Sequence, residues 1–141
     1  MACIFCKKIK FLIWEGKKFS VSLFDNQYYI GRCIIKLNRH IDDFTQLTKA
    51  EQKDLFRIMK KLKRVLTKIF KPTMFNYAVL GNEVKHLHIH LIPRYKKRKM
   101  FLGEIFEDKN FGKPPWPSPK LKLSIKKRNE IKNIIKNELK K

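Results

Sequence analysis

Three of the four histidines in this 141-residue chain fall in one short segment, His86-Leu87-His88-Ile89-His90-Leu91-Ile92. Strict alternation puts the imidazoles on one face of a strand and Leu87, Ile89 and Leu91 on the other. Neighbouring histidines on such a face stand about 6.6 Å apart and the outer pair about 13 Å, so one metal ion bridges two of them but not all three. A core does not favour three imidazoles on one face, because each needs polar partners when buried. Two chemistries suit the pattern. An H-x-H pair can ligate zinc, with further ligands from elsewhere. Alternatively, a neutral imidazole attacks phosphorus and forms a labile phosphoramidate, which splits one difficult displacement into two easier ones. Its neighbours then fix its tautomer and donate to phosphoryl oxygens.

A second cluster, Cys3-Ile4-Phe5-Cys6, has the spacing of half a zinc site. No helix is expected to start at Cys3, as a redox C-x-x-C would want. Cys33 sits in an apolar run and reads as a small buried residue.

The elements that must carry these residues follow from periodicity. Phe19, Val21 and Leu23 alternate with polar neighbours, a turn falls at Asp25-Asn26-Gln27, and Tyr29–Leu37 reads as a buried strand with Gly31 as a kink. Thr48-Lys49-Ala50-Glu51 is a capping box, and Leu55, Ile58, Met59, Leu62, Val65, Leu66 and Ile69 form the stripe of the helix it opens, ended by Pro72. Met74–Leu80 reads as a strand, Gly81-Asn82 as a turn and His86–Ile92 as a second strand, with Pro93 stopping the ladder. Arg94 to Pro119 looks irregular, and a last helix is expected from about Ser124 to Leu139 on a stripe of Ile131, Ile134, Ile135 and Leu139. The order of elements predicts an α+β fold in one domain spanning 1–141, with a basic C-terminal arm and helix over about 94–141.

Composition bounds the partners. A hydrophobic share of 43% excludes disorder throughout, and 5 Gly with 6 Pro excludes a collagen-like or linker protein. No apolar run approaches the ~20 residues of a membrane helix, and the N-terminus has no secretory pattern, so a cytoplasmic protein without a membrane partner is expected. The net charge of +22 fits a nucleotide or nucleic-acid partner, and equally the Lys-, Ile- and Asn-rich usage of an AT-rich genome. The Lys96–Lys99 run and the lysines of the last helix could receive a phosphate backbone, or simply be solvated.

The triad segment with Pro93-Arg94-Tyr95 resembles the signature of the histidine-triad (HIT) nucleotide hydrolases and transferases. Leu80-Gly81-Asn82, Leu37-Asn38-Arg39-His40 and Pro114-Pro115-Trp116-Pro117 extend the likeness, towards a small bacterial diadenosine-polyphosphate-hydrolase-like branch. The resemblance implies an antiparallel sheet with one long helix and a C-terminal helix, joined across a homodimer. It implies cleavage at the α-phosphate of a nucleoside phosphate derivative, with His88 as nucleophile, His90 on the α-phosphate and leaving group, and His86 supporting His88. Asn82 and Asn76 would contact the nucleotide, and Asp25 the ribose hydroxyls, for which a carboxylate is an apt acceptor. No metal is required for the chemistry. A structural zinc on Cys3, Cys6, His40 and His86 is implied as well, holding the end of the catalytic strand.

Two departures stand out. Many members have Gly-His where this chain has Gly31-Arg32, so Arg32 would face a polyphosphate or solvent. Glu83 occupies a position that is often a hydroxyl, where a carboxylate opposes phosphate unless it turns away or pairs with Lys85. The expected substrate is a dinucleoside polyphosphate such as diadenosine tetraphosphate, or an adenosine phosphoramidate. The alternatives are a nucleic-acid-binding member that removes adenylate from nucleic-acid ends, and a zinc-dependent binding protein using His86 and His88.

Overall fold

The computed structural model describes residues 3–141. Nine regular elements follow the chain: β1 (Leu12–Glu15), β2 (Phe19–Leu23), β3 (Cys33–Leu37), α1 (Lys49–Phe70), β4 (Met74–Ala78), β5 (His88–Arg94), β6 (Lys99–Phe101), β7 (Glu104–Phe106) and α2 (Ile125–Lys140). The first five strands form an antiparallel sheet in the order β1-β2-β3-β5-β4, and β6 and β7 form a separate hairpin. This is the α+β arrangement expected, with one long helix and a C-terminal helix.

Register sorts the two faces of the sheet. Val21, Ile35 and Ile89 are cross-strand partners, as are Leu23, Cys33 and Leu91, so these apolar residues share one face. Helix α1 covers it with Leu55, Ile58, Leu62, Val65, Leu66 and Phe70, all buried in the same cluster. Ser20, Lys36 and His88 pair across the strands, as do Ser22, Ile34 and His90. The opposite face therefore carries the polar groups. Ile131 and Ile135 of α2 join the apolar cluster, and Lys68 of α1 pairs with Glu138.

Helix α1 begins where its capping box requires. Thr48 Oγ1 accepts from the Glu51 amide (3.1 Å), and Glu51 Oε1 accepts from the Thr48 amide (2.9 Å). The Arg39 guanidinium adds a fork on the same carboxylate, 2.8 Å to each oxygen. That hydrogen bonding holds the Glu51 carboxyl down to about 2 against the opposing effect of burial. Lys71 closes the helix in a left-handed conformation ahead of Pro72.

The structure departs from the sequence reading in four places. Strand β3 starts only at Cys33, because Tyr29–Arg32 forms a turn around Gly31, at φ 91°. A Cβ there would also meet the Phe70 ring at 2.9 Å, so glycine is required twice over. Pro93 does not stop the ladder: it pairs with Phe75, and β5 runs on to Arg94. The Arg94 carbonyl accepts from Thr73, so the Pro93 nitrogen faces the other side, where β3 pairing has ended at Leu91 and no donor is needed. Strand β1 was not anticipated; its Phe11–Trp14 run is too short to show a period. The stretch after Arg94 holds the β6–β7 hairpin, turned through Leu102 (φ 50°) and Gly103 (φ 74°) in place of the usual Asn-Gly.

Replacing Thr48 by Ala should cost about 1 kcal/mol in urea denaturation. Because its pKa is depressed on folding, Glu51 stabilises the fold above about 4.5, its ordinary value, and that stability is lost as pH falls toward about 2. Glu51→Gln should flatten the loss of stability across that window.

Candidate functional site

The histidine segment splits into two jobs. Strand β5 begins at His88, so His86 lies before it, and the three imidazoles do not share one strand face. His86 is fixed by its neighbours. Its Nε2 donates to the Leu37 carbonyl (2.6 Å), while the Leu87 amide donates to the Ile41 carbonyl (2.7 Å). The lone pair on His86 Nδ1 then points at the N-terminal turn, 3.4 Å from Cys3 Sγ, 3.5 Å from Cys6 Sγ and 3.1 Å from His40 Nδ1. Cys6 Sγ is 3.3 Å from His40 Nδ1. Lys36 Nζ donates to the Phe5 carbonyl and pins the turn to β3 (2.5 Å).

These four groups, all within 4.8 Å of one another, are the set named from the sequence. Zinc bonds of about 2.0–2.3 Å to N and S make tetrahedron edges of about 3.3–3.8 Å, and the four separations given above lie within or slightly below that range. Burial also lowers the pKa of His86, which keeps the ring in its neutral, ligating form. The arrangement fits a metal of the zinc type with two sulfur and two nitrogen ligands.

His88 and His90 face a cavity of about 680 Å³, with Phe5, Phe24, Arg32 and Trp116 on its walls. His88 Nδ1 donates to the backbone carbonyl of His86 (2.6 Å). Its Nε2 therefore carries the lone pair. Phe5 packs edge-on against the ring at 4.7 Å. His90 lies 5.1 Å from His88, centroid to centroid, between Phe24 (5.5 Å) and Trp116 (5.3 Å). Burial, then the charge of Arg32, pushes its pKa down to about 3.

Arg32 stands in the cavity wall with its guanidinium turned onto neighbouring side chains and not to solvent. It is 1% exposed. Nη2 donates to His90 Nδ1 (3.1 Å) and Nη1 to Ser118 Oγ (3.0 Å). Its guanidinium lies 4.0 Å from the Phe24 ring and 4.9 Å from that of Trp116. Gln27 places it, accepting from the Gly31 amide and donating to the Arg32 and Phe24 carbonyls. Burial lowers the guanidinium to about 10, so it stays charged at neutral pH. Nε has no partner, a deficit of about 1–3 kcal/mol.

The remaining candidates divide. Asn82 and Asp25 line the cavity, but Asp25 is also paired with Arg128 of α2 at 2.5 Å. Glu83 lines it too, exposed, and among the described residues it forms no ion pair with Lys85 or any other cation. Asn76 is not brought to the histidines. Its Oδ1 accepts from Arg94 (2.7 Å), and it lines a neighbouring cavity that shares the Trp116 wall. Lys96 and Lys97 are exposed and stand away from the pocket walls. Sequence reasoning missed Phe5 and Phe24, which carried no signal beyond being aromatic.

The wall bearing Trp116 is tied down by Arg94. That buried guanidinium bonds both Asp108 oxygens (2.7 and 3.2 Å) and the carbonyls of Asn110 (2.7 Å) and Lys113 (2.8 Å).

The model of the HIT domain family matches residues 10–97. An uncharacterized HIT-like protein of Methanocaldococcus jannaschii is 29% identical over 103 residues, which cover 67% of this chain and 80% of that protein. The asymmetrical bis(5'-nucleosyl)-tetraphosphatase of Schizosaccharomyces pombe is 31% identical over 71 residues, 47% of this chain but only 39% of that enzyme. In fold, the chain is similar to a hypothetical histidine triad nucleotide-binding protein of Sulfolobus tokodaii, with a TM-score of 0.79 at 16% identity, covering 98% of this chain and 92% of that one. Among the described residues, no helix is long and apolar enough to cross a membrane.

Removing one partner of the Arg94–Asp108 pair strands a buried charge. Asp108→Ala should cost about 3–5 kcal/mol in urea denaturation.

Proposed function

The chain belongs to the HIT family of nucleotide-binding proteins, and on that premise we propose that it is a nucleotide hydrolase or nucleotidyl transferase working through a covalent nucleotidyl-histidine on His88. The observation that carries this reading is the 2.6 Å bond from His88 Nδ1 to the His86 carbonyl. In the neutral ring it places the lone pair on Nε2, where it can act as a nucleophile.

In the first step the Nε2 lone pair forms a P–N bond to the α-phosphorus, and the bond from that phosphorus to the leaving group breaks. The imidazole becomes a cation, which the His86 carbonyl stabilises through Nδ1–H. His90 donates from Nε2 to an oxygen in flight. In the second step water, or another acceptor in a transferase, attacks the same phosphorus. The P–N electron pair returns to Nε2, and the proton of the water passes to solvent. The substrate class is a nucleoside phosphate derivative, such as diadenosine tetraphosphate or adenosine phosphoramidate. A cavity of about 680 Å³ is of ordinary size for such ligands. The named activity of the fission-yeast relative, over the matched 39% of that enzyme, supports the polyphosphate.

The Cys3, Cys6, His40 and His86 cluster is read as a structural zinc site. Zinc there would supply no step. It would hold His86, and with it the carbonyl that orients His88.

Intact-mass analysis of quickly quenched protein, incubated with each compound in turn, should show an adenylate adduct from at least one of them. His88→Ala should remove the adduct and reduce kcat at least about 10⁴-fold, with the fold checked by circular dichroism. Turnover that survives this substitution would refute the assignment. Metal analysis of protein prepared under reducing conditions should give one zinc per chain, as one tetrahedral set provides. Cys3→Ser and Cys6→Ser should each lose it, and a wild-type protein that takes up no zinc would remove the site.

A further inference from the structure

Arg32 is a buried cation spent on a neighbouring histidine, and the consequence concerns leaving groups. Guanidinium nitrogens donate and do not accept. With Arg32 Nη2 at 3.1 Å, His90 Nδ1 must offer its lone pair. The single ring proton of His90 then resides on Nε2. Adding a second proton would set an imidazolium against a guanidinium. The groups packed on His90 are His88 from its own strand, Arg32, and the uncharged rings of Phe24 and Trp116. Among the described residues, no carboxylate stands within ion-pair distance of it. Arg32 cannot swing away easily, being held by Ser118 and enclosed between two rings.

We propose, resting on the covalent reading above, that Arg32 confines His90 to the neutral Nε2–H tautomer and so makes the site select phosphate leaving groups over amine leaving groups. A neutral Nε2–H can stabilise an oxygen by hydrogen bonding, but it cannot hand over its proton without becoming an imidazolate. At a phosphoanhydride that suffices. His88 Nε2 forms the P–N bond, the Pα–O bond breaks with its electron pair on oxygen, and the departing phosphate is stable as an anion. At a phosphoramidate the Pα–N pair goes to nitrogen, which leaves only if a proton arrives, and His90 has none to give. Arg32 is thus a positioning residue that sets substrate class through His90.

Imidazole 15N shifts of histidine-labelled protein test the tautomer without any substrate. With the His90 signals assigned by loss in His90→Gln, Nδ1 should be bare and Nε2 protonated from about pH 5 to 8. Arg32→Lys, which keeps a donor, should retain that pattern, whereas Arg32→Met should mix the two tautomers. In kinetics, wild-type kcat/KM for diadenosine tetraphosphate should exceed that for adenosine phosphoramidate by about a hundredfold, the scale of a missing general acid. Arg32→His restores an acceptor opposite Nδ1 and should shrink the ratio about tenfold. Arg32→Met should lower kcat for the tetraphosphate with little change in KM. A proton found on His90 Nδ1 in the wild type, or comparable rates on the two substrates, would overturn the proposal. If neither compound is turned over and no adduct forms, the hydrolase reading falls and the leaving-group selection with it, while the spectra still decide the tautomer.

Discussion

Which nitrogen of His88 offers its lone pair to the cavity is set by one hydrogen bond, from Nδ1 to the carbonyl oxygen of His86. That oxygen is only as well placed as the backbone bearing it. The backbone at His86 is fixed by the imidazole on the Leu37 carbonyl and by the Leu87 amide on the Ile41 carbonyl. The same residue turns its free ring nitrogen toward two thiols and a fourth histidine. His86 therefore stands at the joint between the Cys3–Cys6–His40 cluster and the strand that carries His88 and His90, and leaves the pocket itself to others.

The two imidazoles that face the pocket are held in opposite senses. His88 gives its Nδ1 proton to a carbonyl, whereas His90 receives one at Nδ1 from a cation. Identical side chains two residues apart thus present a lone pair and an N–H to the same cavity. The difference lies in what sits behind each ring. Behind His88 is the backbone just ahead of its strand, and behind His90 is a guanidinium delivered by the Gly31 turn.

Much of this was legible in the sequence. The capping box at Thr48, the α1 stripe and the alternation through Ile89 and Leu91 each obey a local period, and the structure follows them. The metal set was legible only through resemblance, since Cys3 and His86 lie 83 residues apart. The buried role of Arg32 was not legible, because its partners His90 and Ser118 come from 58 and 86 residues along the chain. Nor was the pairing of Asp25 with Arg128, 103 residues away. The Arg94 contact of Asn76 was not legible for the same reason. A side chain at the sheet edge serves whichever group tertiary packing brings, and packing brought Arg94. Pro93 shows a finer failure: its cost depends on whether a neighbouring strand needs the missing amide, which no single-strand pattern reveals.

The pocket walls come from both ends of the chain. Phe5 and Trp116 flank a histidine pair in the middle, and both lie outside residues 10–97 that match the family. Closing contacts of such sequence separation is slow compared with forming a helix or a hairpin. The enclosure around His88 and His90 is therefore a late product of folding, since it needs two distant segments, one bearing Phe5 and one bearing Trp116, to dock on the same strand.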